Sequence, residues 1–195
     1  MHIDPNERDE VLLRRSAKGD EDSFTELYRR HQAPLYRFAL RMTGNAWAAE
    51  EIVQDVFMTL MRDPKKYDVQ RGTVGAFLYG VARNRVMKHA ERSPRDLPLT
   101  EGAENGYAVP PQMIDSATPA HWAEIGERRE RVRAAILELP LEFREAVVLC
   151  LLEELSYEEM VEITGLPEGT VKSYLFRARK MLKENLLAKY KKEAL

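Results

Sequence analysis

Residues 155–182 read LSYEEMVEITGLPEGTVKSYLFRARKML, and this stretch decides the fold. Ser156 opens it with Glu159 three residues on, the spacing of a capping box at a helix start. Met160 and Ile163 then fall on one helical face. Thr164-Gly165 stops that helix, and Pro167 with Glu168 restarts it as good first-turn residues. In the second helix Val171, Leu175, Ala178 and Leu182 recur at i, i+4, i+7 and i+11, which makes a packing stripe. The opposite face carries Lys172, Ser173, Phe176, Arg177 and Lys180. Two short helices, a glycine turn and a basic, hydrogen-bonding second face are the parts of a helix-turn-helix DNA reader. The same parts also suit an ordinary helical hairpin with a solvated basic face.

Outward from this stretch, periodicity is helical throughout. Phe24, Leu27, Tyr28, His31, Leu35, Phe38 and Met42 form one stripe, which Pro34 is expected to kink or break. A helix over residues 48–62 buries Ile52, Val53, Val56, Phe57 and Leu60. Another over 73–92 turns Leu78, Val81, Ala82 and Val86 inward. Residues 94–119 lose periodicity and gather Pro, Gly, Asn, Ser and Thr, as a linker does. Trp122, Ile125, Val132, Ile136 and Leu139 start a second set of stripes, continued by Phe143, Val147, Val148 and Leu151. No strand alternation of useful length and no internal repeat occurs. The expected fold is all-α: one helical domain over residues 10–93, a flexible linker over 94–119, and a second helical domain over 120–190.

Charge is nearly balanced over the 195 residues, at −2, but it is unevenly placed. Between Lys172 and Lys192 eight cations face Glu184 alone, and between Arg83 and Arg95 five face Glu91. Acids gather between Glu138 and Glu162. Two basic patches on an acidic background suit contact with nucleic acid at two places. Enzyme chemistry finds little support. The four histidines are scattered outside any metal-ligand spacing. No phosphate-cradling glycine loop and no nucleophile motif appears, so no catalytic residue, metal or cofactor is expected. The single cysteine, Cys150, lies in the apolar run VVLCLL and reads as a buried, inert thiol. The N-terminal residues carry no apolar signal segment and no run approaches membrane-spanning length, so a cytoplasmic protein without membrane contact is expected.

Two further faces remain open on pattern alone. Glu51, Gln54, Asp55 and Met58 share one stripe, which is either solvated or a dock for a basic partner helix. Phe77, Tyr79, Arg83, Asn84, Arg85 and Lys88 mix rings with cations. They form either a single-strand-binding surface or a core face with solvated bases.

Taken together, the ordered segments resemble a bacterial sigma factor of the extracytoplasmic-function type. SFTELYRRHQAPLYRFALRMTGN, AAEEIVQDVFMTLMRD and GAFLYGVARNRVMKHAER are similar to that family's region two. LPLEFREAVVLCLLEELSYEEM and LPEGTVKSYLFRARKML are similar to region four. The resemblance covers residues 10–189 apart from the linker. It implies that Glu51, Gln54, Asp55 and Met58 meet the clamp helices of core RNA polymerase. It implies that Asn84 lines a pocket for a flipped −10 base, with Phe77, Arg83 and Lys88 nearby. It further implies that Lys172, Ser173, Phe176 and Arg177 face the −35 major groove, with Arg179 and Lys180 reaching phosphates. The implied partners are core RNA polymerase, promoter DNA and an anti-sigma factor. The sequence departs from the family pattern with Phe77 for a frequent tryptophan, Gly80 for a common cation, Val161 for a small alanine and Tyr174 for a frequent arginine at the DNA surface. Two readings compete. A self-contained helix-turn-helix regulator predicts tight binding to a palindromic operator without polymerase. A protein-only helical adaptor predicts no dependence on Lys172 or Arg177.

Overall fold

The computed structural model of the protein describes residues 7–92 and 119–193. The first half holds α1 (Asp9–Ser16), α2 (Glu21–Thr43), α3 (Ala46–Arg62), two 3₁₀ turns (Pro64–Lys66 and Val69–Arg71) and α4 (Val74–Arg92). The second holds α5 (Pro119–Leu137), α6 (Leu141–Val147), a π turn (Val148–Leu152), α7 (Tyr157–Thr164) and α8 (Glu168–Glu193). Among the described residues no strand occurs, and no helix is long and apolar enough to cross a membrane. The expected linker falls outside the described residues, except that Pro119 already opens α5.

The helix ends follow from local chemistry. Asp20 caps α2 by accepting from the Ser23 N–H, and Asn45 caps α3 by accepting from the Ala48 N–H at 3.0 Å. The Ser156–Glu159 capping box forms with both of its hydrogen bonds, and Gly165 closes α7 at φ 71°. Of the kink or break expected at Pro34, the break does not occur. α2 runs unbroken from Glu21 to Thr43. Leu27, Leu35, Phe38 and Met42 all bury from this one helix, and their contacts offset the backbone hydrogen bond that Pro34 cannot donate.

The apolar stripes fall mostly where the spacing puts them. Ile52, Val53, Val56, Phe57 and Leu60 are all buried, as are Leu78, Ala82 and Val86, while Val81 is half-buried. Two expectations fail in the second half. Val132 and Leu151 are exposed at 41% and 37%. The π turn explains Leu151: one extra residue in the turn slips the helical phase, so the buried run ends at Leu149. After it the chain closes with a hydrogen bond from the Leu155 N–H to the Leu149 carbonyl, with Glu154 at φ 57°. That is a Schellman-type ending with glutamate where glycine is usual.

The halves are packed against each other, and their buried apolar residues form one continuous cluster. α7 lies on α4, and the end of α5, α6 and the π turn lie on α2. Gly44, at φ 70°, accommodates this approach, since a β-carbon there would sit 2.9 Å from Leu137 Cδ1.

Candidate partner and nucleic-acid interfaces

Three surfaces collect the residues singled out from the sequence. The first is a groove of about 630 Å³ between α2 and α3. Its floor is aromatic: Tyr28 packs on Phe57 at 4.7 Å between ring centres, and Phe24 meets Phe57 edge-on at 6.2 Å. Gln54 and Met58 line it, together with Glu50 and Met61. Met61 is 60% exposed, and sequence reading missed it although it lies one turn beyond Met58. Glu51 is exposed on the same helix. Asp55 is half-buried and faces Arg85 of α4 at 3.4 Å. An apolar trough with an acidic and amide rim suits a partner helix that carries cations beside an apolar anchor.

The second surface is a pocket of about 210 Å³ at the start of α4. Phe77 and Asn84 line it, with Gly80 and Val81 between them on the helix. Lys66, Tyr67 and Arg71 come from the preceding turns, and Glu162 comes from α7. Tyr67 meets Phe77 edge-on at 5.9 Å, and its hydroxyl donates to the Gly72 carbonyl at 3.1 Å. Of the four residues singled out on α4, Phe77 and Asn84 are thus brought together. Lys88 lies one turn farther along, exposed. Arg83 points to the other half, where its Nε donates to Glu145 Oε1 at 2.5 Å and its Nη2 to Oε2 at 3.3 Å. From the sequence, the loop YDVQRGTVGA at residues 67–76, which holds Tyr67 and Arg71, is expected to approach a nucleotide closely, whereas Lys66 and Glu162 were missed because no periodic spacing ties them to α4.

The third surface is the outer face of α8. Met160 and Ile163 of α7 bury against Val171, Leu175 and Ala178. That leaves Lys172, Ser173, Phe176, Arg177, Arg179 and Lys180 all exposed on α8. Phe176 is 73% exposed, an unusual place for a phenyl ring unless it meets an apolar partner. Lys172 pairs with Glu168 at 2.5 Å and sits 5.2 Å from the centre of the Tyr157 ring. The Glu168 carboxylate raises the Lys172 pKa, so the ammonium stays charged. Tyr174 is half-buried and packs edge-on against Phe143 at 5.5 Å, so it braces α8 on α6. Cys150 is half-buried rather than buried, and burial pushes its thiol pKa up, away from reactivity.

A fourth cluster was not foreseen. Glu153, its side chain 3% exposed, takes a hydrogen bond from Arg41, faces Arg37 at 3.6 Å and accepts from the Tyr79 hydroxyl at 3.3 Å. Burial raises the Glu153 carboxyl, against the opposing pull of Arg41 and Arg37. The same burial and the Glu153 charge hold the Tyr79 phenol above its usual range. Arg144, 8% exposed, donates to the Met42 carbonyl at 2.6 Å, to the Leu139 carbonyl at 3.2 Å and to the Leu137 carbonyl. It therefore caps the negative ends of α2 and α5 at once.

Residues 27–95 match the family described as Sigma-70 region 2, and residues 129–182 match Sigma-70, region 4. The ECF RNA polymerase sigma factor SigE of Mycolicibacterium smegmatis is 34% identical over 180 residues, covering 91% of this chain and 67% of that one. The ECF RNA polymerase sigma factor SigM of Bacillus subtilis is 33% identical over 160 residues, covering 81% of this chain and 91% of that one. CnrH, solved in complex with the cytosolic domain of CnrY, superposes with a TM-score of 0.68 at 21% identity, covering 93% of this chain and 99% of that one. At that identity the likeness speaks for the fold alone.

Proposed function

The chain belongs to the extracytoplasmic-function sigma factors of the sigma-70 family, and from that premise we propose that it carries core RNA polymerase to promoters through the three surfaces in turn. The groove on α2 and α3 receives a clamp helix of the polymerase, with Met58 as the apolar anchor and Glu51, Gln54 and Asp55 as its polar rim. The pocket on α4 takes a single unpaired base of the −10 element. Phe77 and Tyr67 supply rings beside the base, Asn84 offers its amide to the base edge, and Lys88 follows the phosphates. The outer face of α8 enters the −35 major groove. There Arg177 can grip a guanine edge, Phe176 can touch a thymine methyl group, and Arg179 and Lys180 reach phosphates.

In this reading the chain performs no bond chemistry. Capturing an unpaired base lowers the free energy of the melted promoter relative to the closed one, and this is how it favours opening. It works in the cytoplasm, and an anti-sigma factor controls its access to the polymerase.

The observation that carries the reading is the basic, phenyl-bearing face that α7 and α8 leave exposed, Lys172 to Lys180, behind a fully buried Val171, Leu175 and Ala178 stripe. The test is transcription in vitro with bacterial core polymerase on fragmented genomic DNA from the source organism. New transcripts that start a fixed distance from a shared two-part motif are expected. Tight binding to a palindrome without polymerase, and no new transcripts, would replace this reading with the self-contained regulator.

A further inference from the structure

One acid stands on the face that the proposed function sends into the −35 groove. Glu168 is the first residue of α8, and Lys172 and Phe176 follow it at helical spacing on one exposed stripe. The Glu168 side chain is 52% exposed, and its Oε1 lies 2.5 Å from Lys172 Nζ. The Tyr157 ring, at the start of α7, flanks the same ammonium at 5.2 Å. The ion pair is thus held from two helices. Gly169 leaves the first turn of α8 bare beside it: a β-carbon there would meet nothing within 4 Å among the described residues. A glycine so placed lets a partner come close to the backbone. In a helix-turn-helix, the N-terminal residues of the second helix are the ones that reach base edges. A carboxylate carried between two rows of phosphates is repelled unless a donor meets it in the groove.

The pair presents an acceptor and a donor side by side. The major-groove edge of a base pair presents the complement at its centre, an amine beside a carbonyl, about 2.9 Å apart. Orientation decides which base pairs fit. Guanine or thymine under Glu168 sets acceptor against acceptor. Adenine gives Glu168 its N6 amine, but its N7 then repels the carboxylate, and the methyl group of the paired thymine crowds Lys172. Cytosine fits on both sides. Its N4 amine donates to Glu168, and the paired guanine offers O6 and N7 together to the Lys172 ammonium.

We propose that Glu168 is a specificity-determining residue: with Lys172 it reads a single C·G pair of the −35 element, with cytosine on the Glu168 side. The proposal rests on the assignment of α8 to the −35 groove. Tyr157 is a positioning residue that keeps the ammonium beside the carboxylate.

The test is transcription by core RNA polymerase with the full chain, on a promoter library randomised across the −35 element and read by sequencing the transcripts. The wild type is expected to favour C·G at one position about tenfold over the other pairs. Glu168→Ala and Lys172→Ala should each flatten that position and leave the others as they were. Glu168→Gln should move the preference there to A·T, because a glutamine amide pairs with adenine N6 and N7.

Thermal unfolding is followed alongside, since an acid in a first turn also complements the helix dipole. A lower unfolding midpoint in Glu168→Ala with base preference intact overturns the proposal and leaves Glu168 a helix-end charge. Stronger transcription from every sequence, with preference intact, overturns it as well and makes Glu168 a screen for Lys172. So does a change of preference spread over several positions, which signals a shifted helix. If Glu168→Ala fails to fold, Glu168→Gln and Lys172→Ala still decide the question. A wild type that selects a −35 sequence without C·G at the altered position sinks the base assignment alone. A wild type that shows no −35 preference at all sinks the reading of α8, and the proposal with it.

Discussion

Arg177 and Asn84 are both exposed and both project polar groups, yet they are asked for different work. Arg177→Ala is expected to weaken −35 recognition by about 1–3 kcal/mol, the worth of a paired base-edge contact. Footprinting of the polymerase-bound protein on its promoter measures this, and an unchanged footprint removes Arg177 from the reader. Asn84→Ala is expected to slow promoter opening while core polymerase still binds normally. Permanganate reactivity of unpaired thymines follows the opening, and loss of polymerase binding would make the residue structural instead. Both positions were legible in the sequence, because an exposed polar residue on a helix follows from the phase of its buried neighbours. Arg83 was legible only as a cation. Its partner Glu145 lies 62 positions away, and no helical spacing relates residues so far apart.

Beside the buried Leu12 and Leu13 and the Arg15–Asp20 pair, a carboxylate ties α1 to α2. Asp9 pairs with Arg30 at 2.8 Å and with His31 at 2.5 Å. The His31 hydrogen bond, aided by Arg30 and opposed by burial, lowers the Asp9 pKa. A lowered carboxylate stabilises the fold above its ordinary range and loses that contribution as pH falls through its lowered value. Asp9→Asn is therefore expected to cost about 1–2 kcal/mol in urea unfolding at neutral pH, with the gap closing below about pH 4. A gap that persists in acid would assign the loss to packing. The end of the π turn offers the opposite case. Glu154 holds φ 57°, where a β-carbon is strained. Glu154→Gly should raise the unfolding midpoint of region four by the equivalent of about 1 kcal/mol, and no gain would mean that Glu154 makes a compensating contact. The capping box and the Gly165 stop were visible in the sequence because caps are local chemistry. The π turn was hidden, because VVLCLL suits an α-helix equally well and only its packing adds the extra residue.

Across the whole molecule, the buried residues of both halves form one cluster, and Arg144 joins the ends of α2 and α5 within it. Calorimetry should show a single unfolding transition for the wild type and two for Arg144→Met, because that substitution strips the carbonyl caps from both helices. A single transition in the variant would locate the coupling elsewhere. The sequence supports two helical units, since each carries its own apolar stripes. Their mutual docking was beyond it, because the docking residues also read well as solvated charge. Between Arg92 at the end of α4 and Pro119 at the start of α5 lie 26 residues of chain. Such a tether reaches no more than about 90 Å when fully drawn out. Because the two halves share one chain, their contact is intramolecular. Dilution cannot release it, and a contact too weak to survive between separate molecules would still hold in most copies.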